Sequence, residues 1–211
     1  MKTGTTRTPP WVALALATIA AILPPSAGRA ADAPASYRVR RGEVRVVCPL
    51  TVGGFFETRT EAVSGTVGLG PTQPGALSGE VQVDLSSLDT GIALRNTHLR
   101  DKYLEVGRGA EYASAVLSGV RLGNLDGSSF QGSTPFTGTL LLHGTRRPVS
   151  GQADIHREGG DVRVDASFPV RIDDYGIAPP RYLGVGVKNE VQVKVSLVAA
   201  PVTVPAADGT R

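Results

Sequence analysis

A single cysteine, Cys48, stands in the whole chain, so no internal disulfide can form and packing alone must hold the fold. Aromatic side chains are scarce: five Phe, five Tyr and one Trp, the last of them Trp11 near the N-terminus. The three histidines, His98, His143 and His156, are scattered, and no two have a metal-motif spacing such as H-x-H or H-E-x-x-H. A long apolar run occurs once, at Trp11–Leu23, and its thirteen residues fall short of the roughly 20 a spanning helix needs. An excess of one charge is missing as well. Three of the 22 basic residues (Lys2, Arg7 and Arg29) precede position 31, while all 19 acidic residues follow it. The chain after position 30 is therefore balanced, which removes the electrostatic argument for nucleic acid or an anionic membrane surface.

What is present begins with a leader. Lys2 and Arg7 precede the apolar run, and small residues, Ser26-Ala27-Gly28-Arg29-Ala30-Ala31, follow it. This pattern predicts a secretory signal peptide over 1–30, cleaved near Ala30, and hence a periplasmic or secreted protein. With no cysteine near that site, a lipoprotein anchor is excluded. A short Ala/Pro linker is expected over 31–36, one domain over 37–199, and a flexible Pro/Ala/Gly tail over 200–211.

Inside the domain, apolar and polar residues alternate. Val44, Val46, Cys48, Leu50 and Val52 share one face; so do Val63, Val67 and Leu69, and Val81, Val83 and Leu85. Val116, Val120 and Leu122 share the next, then Phe136, Leu140 and Leu142, then Val149, Ala153 and Ile155. Val162 to Ile172 and Val191 to Leu197 alternate without a break. Gly/Pro/Asn/Asp clusters separate these runs, at Gly53-Gly54, 70–75, 124–127 and 158–161. Period-two patterning in about eight runs predicts an antiparallel barrel or sandwich. The inward residues are mostly Val, Leu, Gly and Ala, which favours a barrel with a hollow apolar interior; a fully packed β-core is the alternative.

One stretch breaks the pattern. Leu88–Val106, LDTGIALRNTHLRDKYLEV, reads as a helix over about 92–104, with Leu94, Leu99 and Leu104 on one face. Asp89, Thr90 and Gly91 offer the side-chain oxygens and the turn that a helix entry uses.

Catalytic constellations are thin. The parity of Cys48 points it inward, where a thiol behaves as a small hydrophobe. Asp173-Asp174 would point to opposite faces of a strand. Ser150 lacks a nucleophile elbow, and no helix follows Gly65–Gly70 or Gly184–Gly186 to make a phosphate loop. The residues therefore predict binding rather than catalysis, with an elongated apolar ligand in the cavity, no cofactor and no metal. An enzyme using Cys48 or His98 on a lipid or amide, and a packed barrel serving as a structural or partner-binding domain, are the other readings.

Four segments carry a resemblance. Leu88-Asp89-Thr90-Gly91 followed by Arg95-Asn96-Thr97-His98-Leu99-Arg100 resembles the S-x-D-T-G-x-x-x-R-D-x-H-L-R segment of YceI-like proteins. Gly138–Val149 resembles that family's G-x-L-T-I-H-G-V-T-K-P-V, Asp174-Tyr175-Gly176-Ile177 its D-F-G-I, and Val187–Leu197 its closing strand. Asn96 departs from the family's Asp, Leu104-Glu105 from an aromatic-rich Phe-Phe-Asp, and Gly107–Ala110 from a Tyr-Pro approach. Cys48-Pro49 puts a proline where the family has none, which predicts an edge or bulge. The resemblance implies an all-β, eight-stranded antiparallel lipocalin-like barrel that holds an isoprenoid lipid or quinone, with the helix near the barrel mouth. Alternation then assigns the cavity lining to Val46, Cys48, Leu50, Val67, Val83, Leu85, Val116, Leu140, Val164, Ala166, Phe168, Val193 and Val195. His98, Arg100 and Tyr175 are the expected mouth residues, with His98 and Arg100 alternatively tying the helix to the rim. An edge near Pro49 leaves a homodimer open.

Overall fold

The structure, a computed structural model, describes residues 36–69, 75–123, 131–182 and 184–202. The expected leader 1–30, residues 31–35 of the linker, residues 203–211 of the tail and the turns at 70–74 and 124–127 lie outside the described residues.

The strands are β1 (Ser36–Pro49), β2 (Phe55–Thr60), β3 (Val63–Leu69), β4 (Leu77–Asp84), β5 (Ser114–Leu122), β6 (Gly132–Leu142), β7 (Thr145–Glu158), β8 (Asp161–Arg171), β9 (Arg181–Tyr182), β10 (Val185–Gly186) and β11 (Glu190–Val202). Neighbours in sequence pair antiparallel from β3 to β8; β8 then pairs with β11 and β11 with β1, closing an eight-stranded barrel. Alternating apolar residues drive the closure, because one face of every strand needs cover and a closed sheet leaves no exposed edge. β2 and β3 act as two halves of one strand along β1. Ser36 lies opposite Gly68 and Val44 opposite Thr60, one register kept across the break at Glu61–Ala62. β9 and β10 form a small separate hairpin.

The last strand runs on to Val202, opposite Ser36. The barrel ladder thus includes the end of the expected linker and the first residues of the expected tail, because backbone pairing does not require apolar side chains. β2 was not legible as a strand: Phe55–Thr60 (FFETRT) carries too little alternation to be distinguished from loop. Pro49 ends β1 opposite Phe55, beyond the last β1–β11 pair at Val47–Gln192, so its missing N–H costs the ladder nothing.

The helix spans 93–103, α-helical over Ala93–His98 (α1) and π-helical over Leu99–Tyr103. The Leu104 N–H donates to the Leu99 carbonyl at 2.9 Å, a bond five residues long. That wider turn brings Leu99, Tyr103 and Leu104 onto the barrel, whereas Leu94, expected on the same face, is 66% exposed. A four-residue helix, α2 (Ala110–Ala113), leads into β5.

Asp89 and Thr90 do not cap the helix backbone. They hold the buried Asn96 side chain instead. Its Nδ2 donates to Asp89 Oδ1 at 2.7 Å, and its Oδ1 accepts from Thr90 N at 2.8 Å and Thr90 Oγ1 at 2.7 Å. Arg100 fixes the helix to the barrel by donating a terminal nitrogen to the Ser86 carbonyl, 3.0 Å, while its Nε donates to the Asn96 carbonyl within the helix, 3.2 Å.

Candidate functional site: an apolar cavity inside the barrel

The inward faces do not fill the barrel. They enclose a cavity of about 330 Å³, within the size range of small-molecule sites. The cause is residue size. Across four neighbouring strands, Val44 faces Val195, Val195 faces Ala166 and Ala166 faces Ala153, a row with no side chain larger than valine. Five aromatic side chains border the cavity, Tyr37, Phe56, Tyr103, Phe136 and Phe168, and the last two pack edge-to-face at 5.7 Å between centroids. Gly151 makes that pair possible, because a Cβ there would lie 2.7 Å from Phe168 Cβ and 2.9 Å from Phe136 Cε1.

One end of the cavity is covered by the helix and the neighbouring loops. Leu85, Leu88, Leu99, Tyr103, Leu104, Ile172, Ile177 and Val187 line it there. At the opposite end the described lining includes Tyr37, Leu77, Leu122, Val162 and Arg157, the last being the one charged residue among the described lining.

Of the thirteen residues assigned to the lining by alternation, Val46, Cys48, Val67, Val83, Leu85, Leu140, Val164, Ala166, Phe168, Val193 and Val195 border this cavity. Leu50 and Val116 do not. Leu50 lies past the end of β1, bridged to Val187 and packed against the core from outside the cavity. At Val116 the parity is inverted: Ala115 and Leu117 face inward, then Val120 and Leu122. The β5–β6 register shifts between Ser118 and Arg121, at Gly119 with φ 60°, and this bulge flips the alternation. A second shift in β1, between Val39 and Arg41, puts Tyr37 and Val39 on the same face as Val44 and Val46. The lining residues Phe56 and Thr58 went unread because β2 did.

His98, Arg100 and Tyr175 do not assemble into a mouth. His98 is exposed, and Arg100 is spent on the helix tie just described. Tyr175 is 3% exposed and outside the cavity, and burial pushes its hydroxyl pKa up. Its carbonyl lies 3.0 Å from His143 Nδ1, while His143 Nε2 lies 3.1 Å from a Glu105 carboxylate oxygen. Arg108, at 2.7 Å, is the main reason the Glu105 carboxyl is held below its usual range. Tyr112 packs edge-on to the His143 ring, 4.8 Å away. His143 and Gly144 are the two central residues of the β6–β7 hairpin, with φ of 51° and 71°. This cluster ties the covered end of the barrel together.

Cys48 borders the cavity, and burial raises its thiol pKa to about 12. It is a protonated, apolar wall group at neutral pH, not a thiolate nucleophile. Among the described residues no three His, Cys, Asp or Glu side chains converge as a metal site would require.

The family model of the YceI-like domain matches residues 37–199, nearly the whole barrel. No curated protein matches the chain significantly in sequence. Solved structures do match in fold. BcnA of Burkholderia cenocepacia superposes with a TM-score of 0.62 at 20% identity, over 75% of this chain and 96% of that one. A polyisoprenoid binding domain from Saccharophagus degradans, implicated in plant cell wall breakdown, superposes with a TM-score of 0.58 at 19% identity, over 79% and 98%. At such identities the likeness is one of architecture, that of the closed barrel. The chain belongs to the YceI-like domain family.

Proposed function

We propose that this protein is an exported binding protein that holds an elongated apolar lipid, an isoprenoid chain or isoprenoid quinone, inside its barrel. The observation that carries the reading is the cavity of about 330 Å³ whose described lining has a single charged side chain. At about 0.8 kcal/mol per buried CH₂, ten carbons contribute roughly 8 kcal/mol, against which the costs of association must be set. The Saccharophagus degradans neighbour, described as a polyisoprenoid binding domain, supports the same ligand class. Export to the periplasm is supported by the leader pattern over 1–30. Binding rather than catalysis is supported by the protonated Cys48 thiol and by His98 lying exposed, away from the lining.

The test is native mass spectrometry of the protein purified from a membrane-containing host, beside an organic extract of the same sample. An adduct whose extracted mass fits an isoprenoid chain supports the proposal. A bare mass that persists after incubation with isoprenoid quinones and polyprenyl lipids sinks it. N-terminal sequencing of the same sample reads the cleavage site, expected near Ala30.

A further inference from the structure

The large apolar side chains left exposed among the described residues are Val52, Phe55, Ile92, Leu94 and Val185, and all stand at the helix-covered end of the barrel. Apolar residues scattered singly over a surface need no explanation; a cluster at one end does. The turn from β1 to β2 presents the first two. The Leu50 N–H donates to the Gly54 carbonyl at 3.0 Å, leaving Val52 at the tip, 68% exposed, and Phe55, opposite Pro49, 63% exposed. The β9–β10 hairpin sets Val185 beside them. The Thr51 N–H donates to the Gly186 carbonyl at 2.8 Å, and the Gly186 N–H donates to Thr51 Oγ1 at 3.0 Å. Arg95 links the start of the helix, with the exposed Ile92 and Leu94, to the same strand: its guanidinium lies over the Phe56 ring, 4.6 Å from the centroid.

The chain after position 30 is balanced in charge, yet this surface is not. Arg181, opposite Gly186, and Lys188, whose N–H donates to the Pro49 carbonyl at 2.8 Å, are exposed, and neither forms an ion pair with a described residue. Acids on the adjoining segments have partners of their own. Asp173 and Asp174 lie with Arg171, Asp89 accepts from Asn96, and Glu57 lies diagonal to Arg45 across β1.

We propose that this end is a membrane-docking surface: Val52, Phe55 and Val185 enter the head-group layer of a phospholipid bilayer, while Arg181 and Lys188 meet the phosphates of anionic lipids. A bilayer complements both features, offering acyl chains to the apolar tips and negative charge to the cations. A second copy of the chain complements only one, because a two-fold interface sets a patch against itself and would bring unpaired cations together. Docking places the helix cover against the bilayer, and Val187, next to Gly186 and bridged to Leu50, already lines the cavity at that end. The proposal concerns the outer surface and does not depend on what the cavity holds.

The assay uses the full chain produced in an exporting host, with vesicles of phosphatidylcholine alone or mixed with phosphatidylglycerol. Cys48 is buried, its thiol pKa raised to about 12, so a thiol-reactive, environment-sensitive fluorophore labels only an introduced cysteine. On Val52→Cys its emission should move to shorter wavelength with mixed vesicles. On Gly160→Cys, in the exposed β7–β8 turn at the opposite end, it should not. The apolar run over Trp11–Leu23 is common to both proteins and cannot create that contrast. In the labelled Val52→Cys background, Phe55→Ser should raise the lipid concentration needed for half the shift about tenfold. Arg181→Gln with Lys188→Gln should raise it roughly ten- to thirtyfold on mixed vesicles and little on phosphatidylcholine. Tm should stay within about 2 °C in these variants, as expected of surface changes. No shift at position 52, equal shifts at 52 and 160, or a charge variant that binds mixed vesicles as tightly as its parent would overturn the proposal. A wild-type dimer that Phe55→Ser dissociates would overturn it as well, giving the surface to a second copy. None of these results bears on the lipid reading of the cavity, which is read from the extracted adduct.

Discussion

Replacing Ala166 with phenylalanine separates a hollow barrel from a packed one by the sign of its effect. Ala166 lies between Val195 and Ala153, and its side chain borders the cavity. In a filled core the added ring would force side chains off their rotamers and cost about 1–3 kcal/mol. Here it enters a space of about 330 Å³. Filling such a space commonly stabilises by about 0.5–2 kcal/mol. For a domain of this size each kcal/mol moves Tm by roughly 2–4 °C, so the expected change is a rise of a few degrees. The ring should also displace ligand. If it excludes about five carbons, roughly 4 kcal/mol of burial is lost, close to a thousandfold in affinity. The assay is thermal unfolding by circular dichroism on delipidated protein, since bound lipid would itself raise Tm, followed by lipid titration. A lower Tm with unchanged lipid binding would refute the account of the cavity.

Other substitutions probe the frame around it. Gly151→Ala should lower Tm through overpacking of about 1–3 kcal/mol, because the new Cβ would collide with the Ser167 carbonyl and crowd Phe136 and Phe168; an unchanged melt would contradict the proposed role of the missing Cβ. Cys48 should resist iodoacetamide at pH 8 in the folded protein and react fully in urea, since its thiol pKa is raised to about 12; rapid alkylation of folded protein would contradict its burial. Asn96→Ala should cost about 1–3 kcal/mol by stranding the Thr90 N–H. It should also alter the acid response. Asp89 is held below its ordinary value chiefly by the Asn96 amide and then by the Gly91 N–H. Its contribution is therefore present above the ordinary carboxylate value of about 3.9 and lost as pH falls through the lowered one. Without Asn96 the fall of Tm in acid should be shallower, and parallel pH profiles for the two proteins would remove Asp89 from the explanation.

Much of the barrel was legible because alternation is a local signal. A strand buried on one face must repeat every two residues, and β6, β7, β8 and β11 do so without interruption, so Leu140, Phe168 and Val193 could be assigned inward from the sequence. The errors fall where the backbone breaks that period. The bulges in β5 and β1 reversed the parity around Val116 and hid Tyr37 and Val39. Leu94 and Leu99, five residues apart in regular α-helix, point about 140° from each other, so Leu94 faces solvent, and only the π-turn that follows brings Leu104 round to the side of Leu99.

The sequence by itself determined the class of fold, the helix and the apolar, small-residue character of the interior, since each depends on the order and size of neighbouring side chains. Only the tertiary structure decided which groups meet. Arg100 went to the Ser86 carbonyl rather than to a mouth, and His143 went to Glu105 and Tyr175. Among the described residues, Thr58 was left with a buried hydroxyl that meets no partner. Hydrogen bonding is pairwise and directional, and its partners here lie many residues apart in the chain. No local pattern encodes which donor will find which acceptor.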